Sequence, residues 1–224
     1  TTVTPLNAAV LTETQVNAVL SAGMSLAVYD VTNNRIDHTW SRNDSGEISF
    51  TQYHYNNLGK VVYTVTGATR AQVVGLTGVT VSNVTSLSET DINGLLASGM
   101  SIAVYDIAND RVDYVWSRND AGESSFTKYH YNTEGKLFYT VTGSTRSDVE
   151  SLTQVTLANV ATLSATQVES YLMVGMSIAI YDSAQNRVDH TWSKNNDGDV
   201  SFTKYNYDTL GKLVFTVSGA TREF

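Results

Sequence analysis

The stretch MSLAVYDVTNNRIDHTWSRNDSGEISFTQYHYNNLGKVVYTVTG (24–67) contains four runs, MSLAVYD, RIDHTWSR, ISFTQYHY and KVVYTVTG, in which apolar and polar residues alternate. Val, Ile, Thr, Tyr, Phe and Trp dominate them, and period-two alternation of β-branched and aromatic residues is the signature of strands. The connectors VTNN, NDSGE and NNLG are short enough only for hairpins, so the four strands form an antiparallel meander. Gly46 and Gly59 stand where a bulged turn needs a positive φ. In the first strand Met24, Leu26 and Val28 face one way and Ser25, Ala27 and Tyr29 the other. Strict alternation puts Ile36, His38 and Trp40 on one face of the second strand and Asp37, Thr39 and Ser41 on the opposite one. In the third it separates Tyr53 and Tyr55 from Phe50, Gln52 and His54, and in the fourth Val61, Tyr63 and Val65 share a face.

The same stretch returns twice. Trp40, Trp116 and Trp192 lie 76 residues apart, as do Met24, Met100 and Met176, and Gly59, Gly135 and Gly211. TTVTPLNAAVLTETQ at 1 aligns without a gap on TGVTVSNVTSLSETD at 77 and TQVTLANVATLSATQ at 153. The units are therefore 1–76, 77–152 and 153–224. A fixed period of this size is the mark of a repeat array. The third unit ends at GATREF where the first continues ATRAQVVGL, and the array is expected to extend further in a longer parent.

Each unit also carries a helix signature. In LTETQVNAVLSAGM, Thr12 caps and Gln15, three residues on, closes a capping box, while Leu11 and Val16 form the apolar staple. Gly23 is expected to end a helix of about ten residues, near the usual length of a short globular helix. Ser88 with Asp91 and Gly99, and Ser164 with Gln167 and Gly175, repeat the pattern. A further short strand is expected at VTVSNV (79–84). The fold class is α+β: three tandem 76-residue repeats, each a short helix plus a four-stranded antiparallel meander.

Composition narrows the function. Of 224 residues 42% are hydrophobic and 16% charged, enough to bury a core. The absence of cysteine excludes disulfides, thiolate metal sites and cysteine nucleophiles. A net charge of −8 has the wrong sign for a phosphate backbone or an anionic bilayer, so no nucleic-acid partner is expected. No apolar run approaches the ~20 residues of a membrane span.

The segments TQYHYNNLGKVV, TKYHYNTEGKLF and TKYNYDTLGKLV resemble the tyrosine–aspartate (YD, or RHS-type) repeat, whose core is Tyr-x-Tyr-Asp-x-x-Gly-Arg-Leu. Tyr53, Tyr55, Gly59 and Lys60 carry the likeness over about half of each unit. Asn56 and Asn132 depart from it where the family has Asp, and the helix has no counterpart in the short family repeat. The resemblance implies an extracellular bacterial β-repeat protein of the kind that builds shells or surface fibres.

Candidate chemistry is sparse. His38, His54, His130 and His190 are the only histidines, and Tyr114 and Asn206 replace two of their equivalents. A catalytic unit repeated three times would keep its base. There is no phosphate loop, HExxH or GxSxG, so no enzyme is expected. RNDSGEIS, RNDAGESS and KNNDGDVS gather carboxylates near a glycine, which is read as hairpin chemistry, with a calcium ion as the alternative. Arg35, Asp37 and Lys60 recur in every unit, as do Asp30 and Arg70, and are expected in cross-strand ion pairs. The aromatic residues are the better lead. Trp40, Trp116, Trp192, Tyr55, Tyr131 and Tyr207 are the candidate ligand-binding residues, on which sugar rings would stack; packing of sheet on helix is the competing explanation. The expected protein is secreted or on the cell surface, with a structural or adhesive role. Its partners are neighbouring repeats, and surface glycans or other copies of itself. A linear array and a closed three-fold body are both compatible with the repeat.

Overall fold

The period-two runs become strands. In the computed structural model, which describes residues 8–222, the run 24–67 forms β1 (Ser25–Asp30), β2 (Arg35–Arg42), β3 (Ile48–Tyr55) and β4 (Val61–Gly67). The later runs form β5 (Ser101–Asp106), β6 (Arg111–Arg118), β7 (Ser124–Tyr131), β8 (Leu137–Gly143), β9 (Ser177–Asp182), β10 (Arg187–Lys194), β11 (Val200–Tyr207) and β12 (Leu213–Gly219). β1 to β6 pair antiparallel in chain order, as do β7 to β12. The protein is mostly β with a few short helices. Two compact units divide at Ser124/Ser125: Thr1–Ser124 holds β1 to β6, and Ser125–Phe224 holds the rest. No described helix is long and apolar enough to cross a membrane.

The capping boxes are where the sequence places them. Gln15 N–H donates to Thr12 Oγ1 while Thr12 N–H donates to Gln15 Oε1, and Ser88 with Asp91 and Ser164 with Gln167 do the same. They open α1 (Glu13–Val19), α3 (Glu89–Leu95) and α5 (Ala165–Tyr171). These helices have seven residues, not ten. Leu20, Leu96 and Leu172 turn extended to bury their side chains, and so end each helix before the glycine. Gly23, with φ +75°, instead shapes the turn into β1, where its N–H donates to the Arg42 carbonyl.

Two elements depart from the sequence reading. ATRAQVVGL forms a second helix, α2 (Arg70–Val74), matched by α4 (Arg146–Ser151). Its cap follows the same rule: Gln72 N–H donates to Thr69 Oγ1. VTVSNV is not a strand. Thr80 N–H donates to Asn83 Oδ1 and Asn83 Nδ2 to the Gly78 carbonyl, so the side chain takes backbone groups a ladder would need, and a 3-10 turn follows at Val84–Ser86.

Each unit buries one sheet face. In the first, Trp40 meets Phe50 edge-on at 4.8 Å, among buried Leu11, Val16, Val28 and Val65. In the second, Trp192 meets Phe202 at 4.8 Å among buried Val168, Leu172, Ile178 and Ile180. Hiding a large side chain of this kind stabilises by about 1.5–3 kcal/mol, so these residues dominate the fold's energetics. The other face is rich in Ser and Thr. There the cross-strand hydroxyls of Thr51 and Thr66 lie 2.8 Å apart, as do those of Thr203 and Ser218.

Candidate functional site

Strict alternation fails at one residue of β2, and this brings a carboxylate beside a buried histidine. Val28 pairs with His38 and Tyr29 with Ile36, leaving Asp37 unpaired as a β-bulge. An extra residue turns its side chain toward that of its neighbour. Asp37 therefore does not oppose His38; its carboxylate lies 2.7 Å from His38 Nδ1. Asp189, skipped between Val188 and His190, repeats the bulge, with Oδ2 2.6 Å from His190 Nδ1. Lys204 donates to the other oxygen of Asp189.

At His190 the surroundings favour the neutral imidazole. Burial pushes the His190 pKa down, and the hydrogen bond and charge of Asp189 only partly oppose it. Burial pushes Asp189 up, but the hydrogen bonds from Lys204 and His190 outweigh it and hold the carboxyl low. With Nδ1–H donated to Asp189, Nε2 of the neutral His190 is a buried lone pair, and among the described residues neither it nor Nε2 of His38 has a hydrogen-bond partner. The His190 dyad thus has base and orienting acid and, among the described residues, no nucleophile within hydrogen-bond reach of Nε2. In β6 Tyr114 fills the equivalent place, buried, its hydroxyl 3.5 Å from the Val84 carbonyl.

Beside the first dyad opens a cleft of about 420 Å³. Gln52, His54 and Tyr63 form its polar wall, and Val73, Val79 and Val81 lie among its apolar lining. The His54 and Tyr63 rings stack at 4.2 Å. Burial lowers the His54 pKa, against the charge of Asp37. The Tyr63 hydroxyl donates to the Val79 carbonyl at 2.9 Å, and burial pushes its pKa up to about 12. The cleft has small-molecule size, but its polar wall changes between copies. Gln52 becomes Lys128 and Lys204, and His54 becomes His130 and Asn206.

The aromatic candidates separate into two groups. Trp40, Trp116 and Trp192 are 0%, 1% and 0% exposed, within the core. Tyr55, Tyr131 and Tyr207 are half-buried at the ends of their strands. Tyr55 donates to the Ile36 carbonyl at 2.6 Å, and the Arg35 guanidinium covers its ring at 4.3 Å. Tyr207 with Val188 and Arg187 repeats this, at 2.7 and 4.3 Å. Burial raises the Tyr55 pKa, with the Arg35 charge opposing it. Arg35 also meets Asp30 at 3.5 Å, the expected cross-strand ion pair. Lys60 pairs instead with Asp110, at 3.6 Å.

Neither a known family model nor a curated protein matches this chain. The likeness to YD repeats rests on Tyr53, Tyr55, Gly59 and Lys60 and their equivalents.

In each acidic turn an Asn side chain accepts from the backbone N–H four residues on. Asn43 Oδ1 accepts from Glu47 N–H at 2.8 Å and Asn43 Nδ2 donates to Glu47 Oε2 at 2.7 Å, closing the hairpin around Gly46 at φ +88°. Among the described residues no group of three or more His, Asp or Glu side chains could hold a metal ion. The sequence reading missed Arg42 and Arg118. Arg118 Nη1 donates to the carbonyls of Asn93 and Leu96 at 3.0 and 2.8 Å, and Nε to Gly122 at 2.9 Å, tying the end of α3 to a hairpin. Arg42 does the same for α1. A basic residue just before each NDxGE-type turn was the available signal.

Proposed function

We propose that the chain is a tandem-repeat segment of a secreted or cell-surface bacterial protein with a structural or adhesive role, each 76-residue repeat acting as a module of helix and four-stranded meander. The observation that carries this reading is the way strands join where one repeat meets the next. In the first unit Tyr63, Thr64, Val65 and Thr66 of β4 pair with Val104, Ala103, Ile102 and Ser101 of β5. In the second unit Tyr139, Thr140, Val141 and Thr142 of β8 pair in the same register with Ile180, Ala179, Ile178 and Ser177 of β9. The hydroxyls of Tyr63 and Tyr139 then donate to Val79 and Val155, each in the following repeat. What recurs at every copy is core and seam, and what varies is the polar wall of the cleft. Repetition that keeps packing and lets polar groups drift suits a load-bearing spacer better than a row of identical binding sites. Acidic charge, abundant Ser and Thr, absent cysteine and the YD resemblance support the extracellular setting.

A glycan array read with the labelled chain tests the reading against a lectin-like one. The structural role predicts no retained glycan at micromolar chain, and predicts separate unfolding events when one molecule is stretched between its ends. Retention of a defined glycan, lost in a Tyr55→Ala, Tyr131→Ala, Tyr207→Ala triple variant, would transfer the function to the tyrosine sites.

A further inference from the structure

The chain displays both halves of its own seam, unoccupied by any described strand. β1 has β2 on one side and no described strand on the other, and β12 likewise has only β11. The residues that the internal seams bury are open here. Met24 is 47% exposed, whereas Met100 and Met176 are 2% and 1% exposed; Phe215 is 55% exposed, whereas Tyr63 and Tyr139 are 1% and 3%. Thr216 is exposed, although Thr64 and Thr140 are buried. Tyr29, equivalent to the half-buried Tyr105 and Tyr181, is exposed as well.

Exposed apolar edges of this kind take up another strand, and the molecule itself shows which strand fits. β1 reads SLAVYD, while the strands that cover β4 and β8 read SIAVYD and SIAIYD. We infer that β12 of one molecule pairs with β1 of a second copy of this chain, antiparallel and head to tail. The internal register carried over by the 76-residue period sets Phe215 opposite Val28, Thr216 opposite Ala27, Val217 opposite Leu26 and Ser218 opposite Ser25. Met24 of the incoming copy lies against Gly219, as Met100 lies against Gly67 and Met176 against Gly143. The glycine matters: a Cβ at Gly67 would stand 3.3 Å from Met100 Cγ, closer than ordinary contact. Because the two edges differ, the contact is heterologous, and copies add in series. The inference rests on strand registers and exposure, and holds whether or not the chain is an adhesin.

Two exposed-residue variants test it, each blocking one edge with a charge: Met24→Lys on β1 and Phe215→Lys on β12. In sedimentation equilibrium the unmodified chain should rise above the 24.4 kDa of one chain as concentration increases. Each variant alone should stay at the mass of one chain. Mixed in equal amounts they should form a species of twice that mass and nothing larger, since each keeps the edge the other lacks. An unmodified chain that stays monomeric to millimolar concentration, a single variant that still associates, or a mixture that stays monomeric would each overturn the inference. Should either variant lose its far-UV circular dichroism, Tyr29→Lys and Thr216→Lys, at exposed positions of the same edges, take their place with the same outcomes.

Discussion

His190 is fixed by a single extra residue in its strand. The bulge at Asp189 turns a carboxylate toward a buried ring, and burial then favours the neutral imidazole. A histidine with a lowered folded pKa takes up its proton more readily when unfolded, so stability falls as pH drops below the ordinary value near 6.5. His54 adds to the same slope. The carboxyl of Asp189, held low, loses its contribution only at more acidic pH, below the ordinary carboxylate range. The melting temperature should therefore decline between pH 7.5 and 5.5, by about 2 °C or more. The decline should be smaller in His190→Tyr, which copies Tyr114, and smaller again with His54→Asn, which copies Asn206. A flat profile for the unmodified protein would show that the rings are not buried as described. None of this was legible in the sequence, because alternation cannot reveal a skipped pairing; only the register shows that Asp37 and His38 share a side. The positive φ of Gly46 and Gly59 was legible, because a short turn leaves few ways to reverse the chain.

At the scale of elements, the helix starts were legible and the helix ends were not. A cap is a local hydrogen-bond pattern with a fixed spacing, and it holds at Thr12, Ser88 and Ser164. Where a helix stops depends on what its last residues can bury, and Leu96 leaves α3 to enter the core at 2% exposure. The chain then needs a donor for the carbonyls it leaves behind, which Arg118 supplies. Lys194 stands at the same place beneath α5 and makes one such bond, to the Glu169 carbonyl at 2.8 Å. A planar guanidinium reaches several carbonyls that one ammonium cannot. Arg118→Lys should cost about 1 kcal/mol in urea unfolding, the usual net worth of a lost hydrogen bond or two. Lys194→Arg should change stability in the opposite direction by a similar or smaller amount. Opposite signs are the test; if both substitutions are neutral, the carbonyls are satisfied by solvent and the tie is incidental. The short α2 escaped the sequence reading although its Thr69–Gln72 cap obeys the same rule, since five residues give no periodicity to count.

At the scale of the whole molecule the 76-residue period was plain, while the compact units are not the repeats. The division at Ser124/Ser125 falls inside the second repeat, while the seams of β4 with β5 and of β8 with β9 lie within the compact units. A sequence read repeat by repeat assigns each meander its own helix and misses the seam. The seam decides how damage should spread. Gly135, at φ +77°, closes the turn between β7 and β8, its N–H donating to the Asn132 carbonyl. A Cβ in that left-handed conformation costs roughly 1–2 kcal/mol, and a β-branched side chain is among the least tolerant of it. In an array whose parts contact mainly their neighbours, this cost is felt first by the strands paired to the turn. Gly135→Val should therefore speed amide hydrogen exchange in β7, β8 and β9 and leave β1, β2 and β3 near their unmodified rates. Mass-spectrometric exchange resolves the two segments in one experiment. If β1 to β3 accelerate as much as β7 to β9, the chain opens as one cooperative body, and stability does not build up neighbour by neighbour.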